Sequence, residues 1–331
     1  GEWLSNIKDW AISRERYWGT PIPVWISQEC GKEHCIGSIA EMEEMKTADS
    51  SMPPELHRPY VDDVKLHCPS DGCSGEMTRE PYVMDCWFDS GCASFAQWHY
   101  PFENHDKFDG SFPVDYICEA VDQTRGWFYS LMAVSTTVFD SICYRRCLSL
   151  GHILDKDGKK MSKSRGNVVN PWDHFNKEGT DAIRWYMTSQ SAPWNPMNFD
   201  PNGVRETYAK MFLTLWNVHK FHLDYAILDN FDYNKDFITV DKRNALDRWI
   251  LSRVSTVAEN YHNQYVSWEF HKAARELENF VINDLSNWYV RRSRRRLWDE
   301  ADSHDKQACQ FTLHEVLLTV SKLMAPVAPF M

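Results

Sequence analysis

Residues 151–171 read GHILDKDGKKMSKSRGNVVNP, and the class of this chain turns on how the middle of that run is understood. Asp157-Gly158 makes a turn, and Lys160 and Lys163 follow it three positions apart. Ser162, Ser164 and Gly166 surround the lysines with small side chains that let the backbone approach a polyphosphate closely. A solvated, lysine-rich turn has the same composition, because lysine is usually exposed. The choice between these readings depends on what flanks the run.

Upstream, Pro113 to Cys118 alternates and is β-branched enough for a short strand. Gly126 to Phe139 has helical spacing through Trp127, Phe128, Leu131, Met132, Ser135 and Val138. Glu119 to Gln123 therefore stands at the carboxyl end of a strand just before a helix, where open α/β sheets bind ligands. A carboxylate there can take a ribose hydroxyl or an ammonium group, and it can equally serve the dipole of the following helix. The run DCWFDSG at 85–91 has the same texture. From Ser27 to Tyr82 the chain changes to short polar segments with two cysteine pairs, Cys30 with Cys35 and Cys68 with Cys73. Gly31, Gly72 and Gly75 lie beside them. Two such pairs are a usual source of a closed tetrahedral zinc site, whose binding energy replaces the core that so short a segment lacks. The alternative is four ordinary buried thiols. Before this, WAISRERYWGTPIPVW at 10–25 holds Arg14 and Arg16, suited either to phosphate or to surface acids. Pro21 and Pro23 force an extended path there.

Downstream, Thr180 or Asp181 is a suitable N-cap. Beyond Pro196 the period becomes helical, with one stripe through Tyr208, Met211, Phe212, Leu215, Trp216 and His219. A second runs through Leu246, Trp249, Ile250, Val254, Val257 and Tyr261, and a third through Phe270, Ala274, Leu277, Val281 and Leu285. These are core stripes, and the polar, aromatic segment between Asp224 and Asp241 is a loop between helices. An antiparallel bundle follows. Within it, WYVRRSRRRLW at 288–298 carries Arg291, Arg292, Arg294, Arg295 and Arg296, which cannot all share one helical face. Arginine beside aromatics suits RNA phosphate and base stacking, with some of the five left to neutralise acids.

Composition bounds these readings. The 331 residues, 43% hydrophobic and 25% charged, are enough for a sizeable core in two domains with a small insertion. No run of 18 apolar residues occurs and GEWLSNIKDW has no signal-peptide pattern, so no membrane partner is expected and a cytoplasmic location is the default. The ten cysteines suit reduced thiols plus a metal site better than a disulfide framework. A net charge of −11 argues against indiscriminate nucleic-acid binding but permits a local basic face.

The pentapeptide Lys160-Met161-Ser162-Lys163-Ser164 resembles the signature loop of class I aminoacyl-tRNA synthetases. W-x-I-S-R-x-R-x-W-G-x-P-I-P resembles the point where isoleucyl, valyl and leucyl synthetases return from an editing insertion to the catalytic fold. Asp122-Gln123-Thr124-Arg125-Gly126-Trp127-Phe128 is similar to isoleucyl-tRNA synthetases in particular, and NDLSNWYVRRSRRR to their anticodon-binding bundle. The resemblance covers essentially the whole chain. It implies an α/β fold, the second half of a Rossmann-like catalytic domain with a zinc-ribbon-like insertion, followed by an all-α anticodon-binding helix bundle. The corresponding segments are 1–26 (return segment), 27–82 (zinc-ribbon-like insertion), 83–203 (catalytic second half with the lysine loop) and 204–331 (bundle).

The same resemblance implies roles. Glu119 and Gln123 would hold the amino-acid ammonium or the adenylate, and Asp122 the ribose. Trp87 and Trp127 would wall the side-chain pocket, and Lys160 and Lys163 would steady the phosphates of ATP together with Mg²⁺. Isoleucine and tRNA(Ile) are the implied partners, with the five arginines on the tRNA side. Related synthetases carry tighter C-x-x-C knuckles around a structural Zn²⁺. Ser27 stands where the first knuckle cysteine is expected, which leaves Cys35 or His34 as its substitute, or a degenerate site. Ala120 follows Glu119 where many isoleucyl enzymes have glycine, so a methyl group narrows backbone access there. No editing domain and no His-Ile-Gly-His signature lies within these residues. Both ends read as cut, a missing amino-terminal catalytic half is expected, and the chain alone is expected to be nearly inactive. Two rivals remain: a ligase for valine or leucine, which the Asp122–Phe128 run disfavours, and a non-catalytic tRNA-binding synthetase fragment. The latter has no need for Lys160, Lys163, Asp122 and Trp127 together.

Overall fold

A computed structural model describes residues 5–235, 237–299 and 303–331. The chain forms two compact units, Gly1–Ser149 and Leu150–Met331.

In the first unit, strands β1 (Val24–Ser27), β2 (Glu33–Cys35), β3 (Leu66–His67) and β4 (Glu76–Arg79) make an antiparallel sheet in the order β2-β1-β4-β3. Its register pairs Val24 with Cys35, Trp25 with both His34 and Arg79, and Leu66 with Met77. Period-2 alternation turns Trp25, Leu66 and Met77 to one face, where they meet Val61, Val64 and Met42 in a small core. The Trp25 indole donates to the Val64 carbonyl at 2.8 Å, so its one polar atom is satisfied inside that core.

Helix α1 (Cys86–Gly91) starts at Asp85, whose carboxylate accepts from Trp87 N–H. Strand β5 (Ile117–Ala120), helix α2 (Trp127–Phe139) and strand β6 (Cys147–Leu150) form a β-α-β unit over a core of Ile117, Phe128, Leu131 and Cys143. The strand expected at Pro113–Cys118 thus begins later; the earlier part touches its neighbour only through an isolated parallel bridge, Val114 to Tyr144.

In the second unit, β7 (Ile153–Leu154) pairs in parallel with β8 (Met197–Asn198). The helices of this unit include α3 (Thr180–Ser189), α4 (Leu213–Leu228), α5 (Ala245–Val266), α6 (Phe270–Asn279), α7 (Arg291–Trp298) and α8 (His304–Met324). A π-helical stretch, Phe280–Val290, joins α6 to α7 without a break. The third stripe is buried at Ala274, Leu277, Val281 and Leu285, and truncating one such leucine costs about 2–5 kcal/mol. The first two stripes are less uniform: Tyr208, Trp216 and Trp249 are exposed beside buried Met211, Leu215, Ile250 and Val254.

Two local expectations are corrected. Gly179, at φ +84°, precedes α3, so Thr180 is its first residue and neither Thr180 nor Asp181 is the cap. The Asp181 carboxylate instead accepts the Phe330 N–H at 2.9 Å. Helix α4 runs past Asp224 to Leu228 before the expected loop. The chain passes from one compact unit to the other at 149/150. Trp185, Tyr186, Met197 and Phe199 share one core with the helices that follow. The change of hydrophobic period at Pro196 marks a change of element type and not the edge of a core.

Candidate functional site

The lysine loop is braced by one carboxylate and one amide. Asp155 Oδ1 accepts the N–H groups of Asp157 and Lys159, at 3.0 and 2.7 Å. Its Oδ2 accepts from Asn167 Nδ2 at 2.7 Å. Asn167 Oδ1 in turn accepts the Ser162 N–H at 2.9 Å, so the two side chains tie both ends of the loop to its middle. Gly158 turns the chain at φ +77° and Gly166 closes the short 3₁₀ turn Lys163–Arg165 at φ +65°, conformations that disfavour a Cβ. The hydrogen bonds from Asn167 and the Lys159 amide hold the Asp155 carboxyl below the ordinary range. Lys160 and Lys163 are exposed, and among the described residues no hydrogen bond or ion pair occupies either ammonium group. A hydrogen-bonded backbone thus presents two uncommitted cations.

At the β5–α2 junction, Glu119 and Asp122 are exposed. Gln123 is committed locally: its Oε1 accepts the Trp127 N–H at 3.0 Å and its Nε2 donates to Asp122 at 3.3 Å, so it serves the amino terminus of α2. Gly126 leaves room here: a Cβ would lie 2.7 Å from Gln123 Oε1 and 3.1 Å from the Trp87 ring, so it would displace the Gln123 amide. Trp87, Trp10, Tyr129 and Arg125 line a cavity of about 390 Å³. Trp127 does not line it; this ring packs against the β-α-β core and its Nε1 donates to the Ser90 carbonyl at 3.0 Å. Asp85 anchors the Trp87 helix by accepting from Trp10 Nε1 at 3.0 Å and from Arg14 at 2.5 Å, which assigns Arg14 to an acid. Burial raises the Asp85 carboxyl, and these donors together with the Arg14 charge outweigh it and hold the group below its ordinary value.

Of the four candidate metal-ligating cysteines, the fold gathers three. The sulfurs of Cys30, Cys68 and Cys73 all lie within 4.8 Å of one another. Cys30 and Cys68 are 3.6 Å apart, and the fourth neighbour is Ser27, with its Oγ 3.5 Å from Cys73 Sγ. Cys35 lies opposite Val24 at the far end of the β1–β2 ladder, and His34 is held by Glu41 at 2.9 Å, so neither reaches the cluster. The Ser27 hydroxyl and the Lys32 backbone lower the Cys30 thiol to about 6.

The five arginines separate into two groups. Arg291, Arg292, Arg294 and Arg295 are exposed, and Arg292 lies 4.3 Å above the centre of the Trp288 ring. Arg296 turns inward and grips the fully buried Asp247 with two hydrogen bonds, at 2.8 and 2.7 Å, and Asp305 from its Nε at 2.7 Å. Its guanidinium is engaged within the bundle, unlike those of the four exposed arginines. Neither Asp155 nor Asp247 stands out in the sequence, where Asn167 is marked only by following Gly166 after the lysine loop. Asp155 and Asn167 flank the lysines and carry turn-forming side chains, a signal that was present; Asp247 looks like any acid in the first turn of a helix.

Residues 1–200 match the family described as tRNA synthetases class I (I, L, M and V), and residues 247–331 match the anticodon-binding domain of tRNA ligase. The chain is 51% identical over 335 residues to an isoleucine–tRNA ligase of Clostridium novyi. It is 48% identical over 331 residues to one of Thermus thermophilus. All of this chain is covered in both comparisons, and it spans 31% of the length of those relatives. Among solved structures, a leucyl enzyme of Agrobacterium radiobacter K84 in a ternary complex with tRNA and LeuAMS has the same fold. The TM-score is 0.72 at 21% identity over 98% of this chain and 39% of that one. A methionyl-tRNA synthetase of Mycobacterium tuberculosis bound by methionyl-adenylate gives 0.64 at 16% identity, over 81% of this chain and 51% of that one.

Proposed function

The chain belongs to the class I tRNA synthetases, and from that premise we propose that it carries the phosphate-handling and tRNA-facing parts of an isoleucine–tRNA ligase. The observation that carries this reading is the braced loop, which leaves Lys160 and Lys163 exposed and uncommitted on a fixed backbone. Isoleucine as the amino acid rests on the identity of about half the residues to ligases of that name.

In activation, an oxygen of the isoleucine carboxylate bonds to the α-phosphorus of ATP while the α–β anhydride bond breaks and pyrophosphate leaves. Catalysis of this step is positioning plus neutralisation of negative charge. Lys160 and Lys163 supply the charge on the phosphate side, and Mg²⁺ supplies more when bound. Glu119 and Asp122, exposed at the end of β5, are suited to the ammonium group and the ribose. Gln123 holds the turn between them and α2. Trp87 offers an apolar wall, and Trp127 supports that wall from behind through Ser90. In transfer, a ribose hydroxyl of tRNA(Ile) attacks the activated carbonyl and AMP leaves. The exposed Arg291, Arg292, Arg294 and Arg295 face RNA. The Cys30–Cys68–Cys73 cluster fits a structural Zn²⁺ by donor type and spacing. Free thiols throughout suit a cytoplasmic setting, and among the described residues no helix is long and apolar enough to cross a membrane.

The test is a chimaera in which these residues replace the aligned segment of the Clostridium novyi relative, assayed by isoleucine-dependent ATP–pyrophosphate exchange. Replacing Lys160 or Lys163 by alanine is expected to lower kcat by about 10²–10³, the usual loss for a charge-stabilising donor. An exchange rate within threefold of the parent chimaera in both variants would remove the loop from the chemistry. Competition among isoleucine, valine and leucine in the same assay reads the amino-acid choice.

A further inference from the structure

Resting on the structural zinc reading above, we propose that the fourth corner of the metal site is the Ser27 oxygen, making the site three thiolates and one oxygen ligand. The spacing of the four atoms argues for it. Zinc–sulfur bonds of about 2.3 Å and zinc–oxygen bonds of about 2.1 Å place tetrahedral neighbours about 3.8 Å apart for two sulfurs and about 3.6 Å apart for sulfur and oxygen. Cys30 Sγ and Cys68 Sγ stand at 3.6 Å, and Ser27 Oγ and Cys73 Sγ at 3.5 Å. Two opposite edges of such a tetrahedron are therefore already in place in the protein's own side chains.

The backbone around Ser27 is built as a ligand turn. The N–H groups of Glu29 and Cys30 both point at Ser27 Oγ, each at 3.3 Å, which fixes the oxygen toward the cluster. Outer hydrogen bonds of that kind orient metal ligands. Gly31 follows at φ +71° and Gly72 precedes Cys73 at φ +78°, so both ligand-bearing loops turn back through left-handed glycines. Competing fourth ligands are placed elsewhere. Cys35 is three residues along β1 from the Ser27 level, about 10 Å on a strand. His34 is engaged by Glu41. Glu29 Oε2 comes within 3.6 Å of Cys73 Sγ, but its carboxylate is not within reach of all three sulfurs. Serine is a harder and weaker partner for zinc than thiolate, so the metal here is expected to exchange more readily than in a four-cysteine site.

The experiment loads the 331-residue chain with Co²⁺ under reducing conditions and reads the thiolate-to-metal charge-transfer absorption, whose intensity follows the number of sulfur ligands. Ser27→Cys is expected to raise the intensity by about one third, and Cys68→Ser to lower it by about one third, as three ligands become four or two. Cys35→Ser and Glu29→Gln are expected to leave it unchanged, and Ser27→Cys to slow loss of Zn²⁺ to a chelator. A fall of about one third in Cys35→Ser, or no rise in Ser27→Cys, would overturn the Ser27 assignment while leaving a metal site standing. No tetrahedral cobalt spectrum from either the parent chain or Ser27→Cys would instead bring down the zinc reading itself.

Discussion

Replacing Arg296 by alanine should loosen the second unit far more than replacing its exposed neighbour Arg295. Asp247 is fully buried in the first turn of α5 and has three donors: the Tyr289 hydroxyl at 2.5 Å and the two Arg296 nitrogens at 2.8 and 2.7 Å. The Arg296 side chain is only 12% exposed. Burial alone lowers the basicity of its guanidinium, and the Asp247 hydrogen bonds and charge outweigh that and raise it. Arg296→Ala removes the only countercharge in contact with Asp247 among the described residues, and breaking a buried pair from one side costs about 3–5 kcal/mol. The Asp305 contact adds little, because that carboxylate is half exposed. Arg295→Ala, at an exposed position, should cost less than about 0.5 kcal/mol.

The assay follows from the cysteine distribution. Cys309 is the only cysteine after residue 150 in the sequence. It is completely buried 3.7 Å from the Tyr289 hydroxyl, and burial pushes its thiol up to about 11. Its alkylation, located by mass spectrometry, therefore reports opening of this unit alone. At a labelling rate set by the open population, Arg296→Ala should react on the order of a hundred- to several-thousand-fold faster than the parent. Adding Asp247→Asn should recover part of the difference, because an unpaired amide costs less to bury than an unpaired charge. Labelling of Arg296→Ala within threefold of Arg295→Ala would refute the placement of Arg296 as a buried countercharge.

His222 is buried and its imidazole is pushed down to about 4, first by burial and then by the charges of His314 and His219. The unfolded chain therefore takes up this proton near pH 6.5 and the folded chain only near 4. Stability is complete above about 6.5 and is lost as pH falls through that window, by about 3 kcal/mol. His222→Leu should flatten that acid limb in urea titrations at paired pH values, and an unchanged limb would count against it. Asp155→Ala and Asn167→Ala should each raise tryptic cleavage after Lys159, Lys160 and Lys163 about fivefold or more by releasing the brace. Equal cleavage in parent and variants would remove the brace from the account. The depressed Asp155 carboxyl means that the brace is kept at neutral pH and lost only as pH falls through its lowered value. In tRNA binding, Arg292→Ala and Arg295→Ala should each reduce the salt slope by about one counterion. An unchanged slope in both would take this face away from RNA.

Much of the candidate site was legible in the order of residues because its signals are local. Asp-Gly turns, glycines at left-handed positions and lysines three apart mark the loop at 151–171 without reference to anything distant. Helical periodicity likewise announced the third core stripe and the helix at Trp127–Phe139, since the side-chain repeat belongs to the helix itself. The residues that escaped or misled were those whose role depends on a partner far along the chain. Five arginines are chemically alike in sequence, and only the pairing of Arg296 with Asp247, 49 positions away, withdraws one of them from the surface. In sequence Cys35 or His34 stood in for the knuckle cysteine missing at Ser27, whereas the β1–β2 register sets Cys35 opposite Val24 and the β1–β4 register sets Ser27 opposite Met77, with its hydroxyl beside Cys73, 46 positions away. The place of Trp127 was likewise implied only by resemblance, and its packing against the core of α2, with its Nε1 on the Ser90 carbonyl 37 positions away, is a long-range contact. Turn chemistry and periodicity are written in adjacent residues; burial, register and the choice among like side chains are settled by long-range packing, which no single stretch of the chain contains.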